Sequence, residues 1–255
     1  MMQLTMRHFL LPVLLCTFGV AGCITETTGG LPPPASDEDR VKAQLDLARG
    51  YLAQRDWWRA RGPLTTALEI DPRSAETHVL FAVLYENEDE PIVAERYYRQ
   101  ALKLKRHDSQ ALNNYGTFLY GRARYDDALV PLRRLVQDTE YHLRAQAFEN
   151  LGLTELRVGN LDAAKAAFLR SLNLNFEQSR SSLELADLHY AEGDYTAAED
   201  YYQGYLNLAP QTARSLCLGI KLGKVAGDDN QIASYGMALR NLYPQAAGQC
   251  TLPRE

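Results

Sequence analysis

The feature that most constrains this chain is a repeat of 34 residues. It is clearest over residues 145–178, AQAFENLGLTELRVGNLDAAKAAFLRSLNLNFEQ. Phe148, Leu151, Gly152 and Glu155 recur three or four apart. A break follows at Gly159-Asn160, and Leu161, Ala164, Phe168 and Ser171 then resume the spacing. Apolar residues at that interval mark amphipathic helices, and the Gly-Asn break marks the turn between them. Small residues at Gly152 and Ala164 allow two antiparallel helices to approach closely, with Leu151 and Phe168 filling the space beside the contact. Such a pair cannot bury its apolar face alone, so it needs copies of itself.

The copies are present. The same frame gives units at 41–74, 75–108, 109–144, 145–178, 179–212 and 213–246, of which the third has 36 residues and the others 34. The eighth position reads Ala48, Ala82, Gly116, Gly152, Ala186 and Ile220. The twentieth reads Ala60, Ala94, Ala128, Ala164, Ala198 and Ile232, and the twenty-fourth Leu64, Tyr98, Leu132, Phe168, Tyr202 and Gly236. Proline follows the second helix in three units, at Pro72, Pro210 and Pro244. This pattern resembles the tetratricopeptide repeat (TPR) over most of the chain. The resemblance implies an all-α fold over 37–255: a solenoid of about six helix-turn-helix repeats wound as a right-handed superhelix, with the first helix of each repeat on the concave side.

The irregularities have positions too. The two extra residues of the third unit fall in the turn near 138–142, and Leu135 stands there in place of a small residue. Tyr205 does the same in the fifth unit. The sixth unit fits least, with Ile220 and Ile232 at small positions and Gly236 at the large one, as expected of an end repeat with one side in solvent. Trp57 occupies the place of Tyr125 and Tyr195 and is expected in the core. Its neighbour Trp58 points elsewhere, as a partner anchor or a singly exposed apolar residue.

Little in the chain suggests catalysis. The formal net charge is −5 with no basic run interleaved with aromatics, which argues against nucleic acid as a partner. None of the five histidines, His8, His78, His107, His142 and His189, has a partner at metal-ligand spacing. His189 falls where other units carry Tyr51 or Tyr85 and reads as a packed side chain. Asp126-Asp127 and Asp228-Asp229 lie at helix starts, where carboxylates favour the dipole. There is no G-x-S-x-G and no phosphate-cradling loop in the mature chain. The expectation is a protein that is no enzyme and uses no cofactor, metal or small-molecule substrate.

The amino terminus carries an address. Residues 1–22 supply Arg7, an apolar centre at 9–20 and small residues before Cys23. The apolar run is far shorter than the roughly twenty residues of a spanning helix, so it reads as a targeting segment. Val20-Ala21-Gly22-Cys23 resembles a bacterial lipobox, which implies cleavage before Cys23 and lipidation of its thiol. An ordinary secretory signal with a coincidental cysteine is the alternative. Ile24, where an aspartate would resemble an inner-membrane retention signal, favours the outer membrane. Residues 23–36 then form a lipid-anchored linker whose Pro32-Pro33-Pro34 favours an extended path. Ser36 reads as the cap of the first helix, with Asp37, Glu38 and Asp39 in its first turn.

Cys217 and Cys250 remain once Cys16 leaves with the signal and Cys23 is lipidated. Export would place them where disulfides persist, so they form either a bridge stapling the last unit or two small buried thiols.

With first helices lining the hollow side, the inward-facing residues are Leu45, Arg49 and Leu52, then Val79 and Val83, then Asn113, Asn114, Thr117 and Tyr120, then Asn150 and Leu153. Asn114 and Asn150 are equivalent in successive units, and paired amides can hold an extended peptide by its backbone. Units one and two read as the more apolar lining, the place for an aliphatic or aromatic peptide. The alternative is that these positions are merely solvated.

Four stretches narrow the resemblance: ALNNYGTFLYGRARYDDA at 111–128, ENLGLTELRVGNLDAA at 149–164, LELADLHYAEGDYTAA at 183–198, and TARSLCLGIKLGKVAGDDNQIASYGMALRNLYP at 212–244. Together with the lipobox they resemble the type IV pilus biogenesis lipoproteins of the PilF/PilW group. Tyr120 departs from relatives in which a cysteine is expected. The resemblance implies a pilotin, an outer-membrane-tethered adaptor on the periplasmic face that binds the pilus secretin subunit and promotes its localisation and multimerisation. It implies membrane contact through the lipid only. A TPR lipoprotein of another envelope machine, serving outer-membrane protein assembly or polysaccharide export, is the rival reading.

Overall fold

The computed structural model describes residues 35–246, 248 and 250. The leader at 1–22, Cys23 and the linker up to residue 34 lie outside the described residues. Ser36 begins the helical unit as an N-cap. Its hydroxyl accepts from the Asp39 amide at 3.1 Å, while Asp37, Glu38 and Asp39 place negative charge at the helix start.

Twelve helices follow, two to a unit, and there is no strand among the described residues. They are α1 (Asp37–Ala53) and α2 (Trp57–Ile70), α3 (Ala75–Asn87) and α4 (Pro91–Leu104), α5 (Ser109–Gly121) and α6 (Tyr125–Leu135). The second half holds α7 (Arg144–Arg157) and α8 (Leu161–Leu174), α9 (Ser179–Glu192) and α10 (Tyr195–Leu206), α11 (Ala213–Ala226) and α12 (Asp229–Leu242). Among the described residues no helix is long and apolar enough to cross a membrane. The two residues added to the third unit fall in the longer connection between α6 and α7.

The turn within each unit repeats to the residue. Arg55, Asp89, Ala123, Gly159, Gly193 and Gly227 all have positive φ, and each stands at the same place in its unit. A single left-handed residue reverses the chain between the two helices. Glycine adopts it freely, whereas Arg55, Asp89 and Ala123 hold it against the crowding of their own Cβ.

Packing within a unit rests on a small residue facing a large one. A Cβ added to Gly116 would sit 2.7 Å from Leu132, and one added to Gly152 would sit 2.6 Å from the Phe168 ring. The sixth unit departs from the expected register. Its close approach lies at Gly219, one residue before Ile220, and Gly219 is pinched between Tyr202 of the fifth unit and Tyr235. Tyr235, one residue before Gly236, supplies the missing ring, while Ile220 and Ile232 are only half-buried. The contact has stepped back one residue on both helices, although Gly227 keeps the turn in phase. Tyr205, which replaces a small residue in the fifth unit, is buried, and its hydroxyl donates to the Pro210 carbonyl at 2.7 Å. Trp57 packs on the first core cluster, and Trp58 is 83% exposed. Cys217 on α11 is paired with Cys250 as a disulfide, their Cα atoms 5.5 Å apart, which fastens the segment after α12 to the last unit.

Most successive first helices approach one another, α1 on α3, α3 on α5, α5 on α7 and α9 on α11, while α7 and α9 stand farther apart. Successive second helices do not, so the stack closes toward the first-helix side and opens on the other. Two of the hollows, one bordered by α1, α3 and α5 and one by α5, α7 and α9, lie on the closed side.

Candidate protein-binding groove

Along the closed side the lining changes character from one end to the other. Across units one to three lies an open hollow of about 670 Å³ bordered by Arg49, Glu76, Lys105, Asp108 and Asn114. Its charges are largely matched internally. Arg49 pairs with Asp46 at 2.7 Å and also with Glu76, and Lys105 pairs with Asp108 at 3.0 Å. Exposed pairs of this kind add little stability, but they leave little free charge for a partner.

The apolar lining expected here is met in part, since Val79 and Leu80 border the hollow while Leu45 does not. Leu45 is only 3% exposed and packs in the core with Ala60 and Leu64, and Val79 is likewise 3% exposed within the central core. Leu52 and Val83 are half-buried against the same clusters. The physical reason is that a first helix is contacted from two sides, by its own partner helix and by the preceding unit. Only a narrow stripe remains free; Leu45 lies outside it, and Val79 keeps one edge on the hollow.

Units three to five are different. Gln110 Nε2 donates to Asn114 Oδ1 at 2.7 Å, Asn113 Nδ2 donates to the same oxygen at 3.4 Å, and Asn150 Nδ2 reaches Asn113 Oδ1 at 3.5 Å. The amides thus form a chain across α5 and α7, which fixes their orientation. Asn114 Nδ2 and Asn150 Oδ1, one donor and one acceptor, are left without a partner among the described residues. Thr117 is exposed beside them, with its hydroxyl donating back to the α5 carbonyls of Asn113 and Asn114.

Next to this chain a hollow of about 110 Å³ is lined by Thr117, Tyr120, Leu132, Asn150, Leu153, Thr154 and Arg180. Leu132 reaches it from α6 because residue 116 carries no side chain to block the way. Leu153 is 6% exposed and forms part of the core, with one surface left for the hollow. Arg180, the second residue of α9, is exposed at the rim.

Beneath the groove, buried carboxylates are each satisfied. Glu155, 3% exposed, accepts from Arg133 at 2.7 and 3.0 Å and from Asn160 at 2.8 Å. Glu149 accepts from the Ser181 amide and hydroxyl, and Ser181 meets Ser171 at 3.1 Å, so units four and five are joined by a polar seam. On α9, Glu184 holds Arg214 through two bonds of 2.7 Å, and Asp187 binds the same guanidinium at 2.8 Å. Burial raises the Asp187 carboxyl above its ordinary pKa, against the pull of Arg214. Burial also raises Glu86, which accepts the Tyr98 hydroxyl at 2.8 Å. His189 stacks on Tyr201 at 5.4 Å with Nδ1 3.3 Å from Asp194, a packed side chain in the place of a tyrosine. No cluster of three or more metal-ligating side chains occurs among the described residues.

Sequence reasoning missed Arg180. The second position of the six units reads Lys42, Glu76, Gln110, Gln146, Arg180 and Arg214, polar without exception and exposed in every unit. That column is the signal of the free stripe.

The tetratricopeptide repeat family matches residues 83–141 and 149–213. The type IV pilus assembly protein PilF of Pseudomonas aeruginosa is 43% identical over 235 residues, covering 91% of this chain and 92% of PilF. The chain belongs to the PilF family of type IV pilus biogenesis TPR proteins. A solved structure of Pseudomonas aeruginosa PilF superposes with a TM-score of 0.80 at 42% identity, covering 84% of this chain and 97% of that one. A crystal structure of PilW, a widely conserved type IV pilus biogenesis factor, gives 0.68 at 26% identity, covering 80% and 94%. Family membership and the groove agree on a scaffold whose business is with other proteins.

Proposed function

We propose that this protein is a lipid-anchored pilotin of the outer membrane, which binds a subunit of the type IV pilus secretin and promotes its localisation and multimerisation. The observation that carries this reading is the match to PilF over nearly the whole length of both chains. The lipobox at Val20-Ala21-Gly22-Cys23 supports the tether. Stable anchoring takes more than one acyl chain, and a triacylated cysteine supplies it.

The tether does physical work. Confining the scaffold to a membrane surface raises the effective concentration of any bound secretin subunit there and turns ring assembly into a local encounter. The linker at 24–36 reaches at most about 45 Å when fully extended, so a captured subunit stays close to the bilayer. Release follows when subunits bind one another more strongly than they bind the adaptor.

The test is Cys23→Ala in cells, followed through detergent-resistant secretin multimers in outer-membrane fractions. Retained secretin binding with loss of outer-membrane multimers is the expected result. Normal multimer levels at the outer membrane would overturn the reading.

A further inference from the structure

The hollow between units three and five has a size and a charge that select what enters it. A cavity of about 150 Å³ accepts benzene. At about 110 Å³ this open hollow has the size of a branched aliphatic side chain and leaves less room for an aromatic ring. Tyr120, Leu132 and Leu153 give it apolar walls, so a Val, Leu or Ile side chain would lose contact with water on entry. Beside it, Asn114 Nδ2 and Asn150 Oδ1, unpartnered among the described residues, offer a donor and an acceptor to backbone C=O and N–H groups of an extended segment.

Arg180 adds the charge. Arg214 and Arg133, its neighbours along the stack, are held by Glu184, Asp187 and Glu155. Arg180 has no ion-pair partner among the described residues, and a free guanidinium at the mouth of an apolar hollow favours a carboxylate. The groove also continues beyond Asn114 into the larger hollow of units one to three, so a bound segment can run on past the pocket.

We propose that this hollow is the specificity pocket for an internal, extended, acidic-aliphatic segment of the partner. One Val, Leu or Ile side chain fills it, and a nearby Asp or Glu carboxylate rests on Arg180. The proposal rests on the adaptor reading above and names the kind of segment the adaptor holds.

The test is selection of a random dodecapeptide library, displayed on phage, against the whole mature protein. The expected consensus pairs an aliphatic with an acidic residue away from the peptide terminus. The selected peptide, made synthetically, should bind about tenfold or more weakly to Arg180→Glu, and similarly to Thr117→Trp, which plugs the hollow from its exposed rim. Both positions are exposed, so the fold should survive, and a circular dichroism melt checks that it does. An aromatic or basic consensus, no consensus, a requirement for a free carboxy terminus, or selected peptides indifferent to both variants would overturn the proposal. Capture of the secretin from solubilised envelopes is measured alongside. Secretin captured equally by wild type and both variants would sink the pocket and leave the adaptor reading standing. Selected peptides without secretin capture would sink the adaptor reading and leave the pocket standing.

Discussion

The fourth and sixth units have the same two-helix plan and hold it by different means. In the fourth, α8 buries Ala164, Ala167, Phe168 and Ser171 between neighbours on both sides. In the sixth, α12 buries only Leu239, and Met237 and Leu242 stand in solvent. The end unit makes up the deficit with ties. These are the Cys217–Cys250 disulfide, a 2.9 Å bond from the Tyr243 hydroxyl to the Gln211 carbonyl, and a 2.8 Å bond from Gln231 to the Gly219 carbonyl. An interior repeat is stabilised by burial that its neighbours complete; an end repeat, lacking one neighbour, relies on covalent and polar links.

The sharpest way to break this contrast is Gly152→Leu. Its side chain would run into the Phe168 ring, so stability should fall by about 3 kcal/mol in a denaturant melt. Gly236→Ala, whose Cβ would meet only the tip of Arg240 at 3.5 Å, should cost nothing and gain roughly 0.5–1 kcal/mol from the helix interior. Equal costs at the two sites would mean that the units are not held differently. Next in size is Cys217→Ser. Opening the bridge should cost the end of the solenoid about 2–4 kcal/mol. Hydrogen exchange should quicken in α11 and α12 and stay unchanged in α7 and α8.

How much of this was legible beforehand follows from the same contrast. The period, the turns and the small-large pairs of units one to five could be read directly, because each interior unit solves one packing problem. The sixth solves another, and the reading placed its contact at Ile220 and Gly236 when it lies at Gly219 and Tyr235. Leu45, expected on the hollow side, lies in the core for a related reason. Periodicity tells which residues are apolar at helical spacing, but not which of two neighbouring helices will cover them. The polar column ending in Arg180 and Arg214 carried that information, and only the packed structure shows that Arg214 is neutralised while Arg180 has no ion-pair partner among the described residues.

Smaller effects refine the turns. Ala123→Gly removes a Cβ from a residue at φ 56° and should stabilise by about 1 kcal/mol. Gly159→Ala should destabilise by a similar amount, in chemical melts of otherwise identical protein. Smallest is the buried carboxyl of Glu86. Its pKa is raised in the folded state, so the folded chain holds that proton more tightly than the unfolded one. The contribution is fully present below the ordinary carboxylate pKa and is lost as pH rises through the raised value. Glu86→Gln should therefore gain on wild type at neutral pH and lose the advantage in acid, read from melts across that range.

The central claim is that the groove of units three to five, and not the bare end of the solenoid, grips the pilus secretin. Site-specific photocrosslinking in cells tests it most directly, with a benzophenone side chain at Gln146, exposed on α7 one turn before Asn150 and outside the lining of the hollow, in one strain and at Met237 in another. The account predicts a secretin adduct from Gln146 and none from Met237. An adduct from Met237 with none from Gln146 would contradict it.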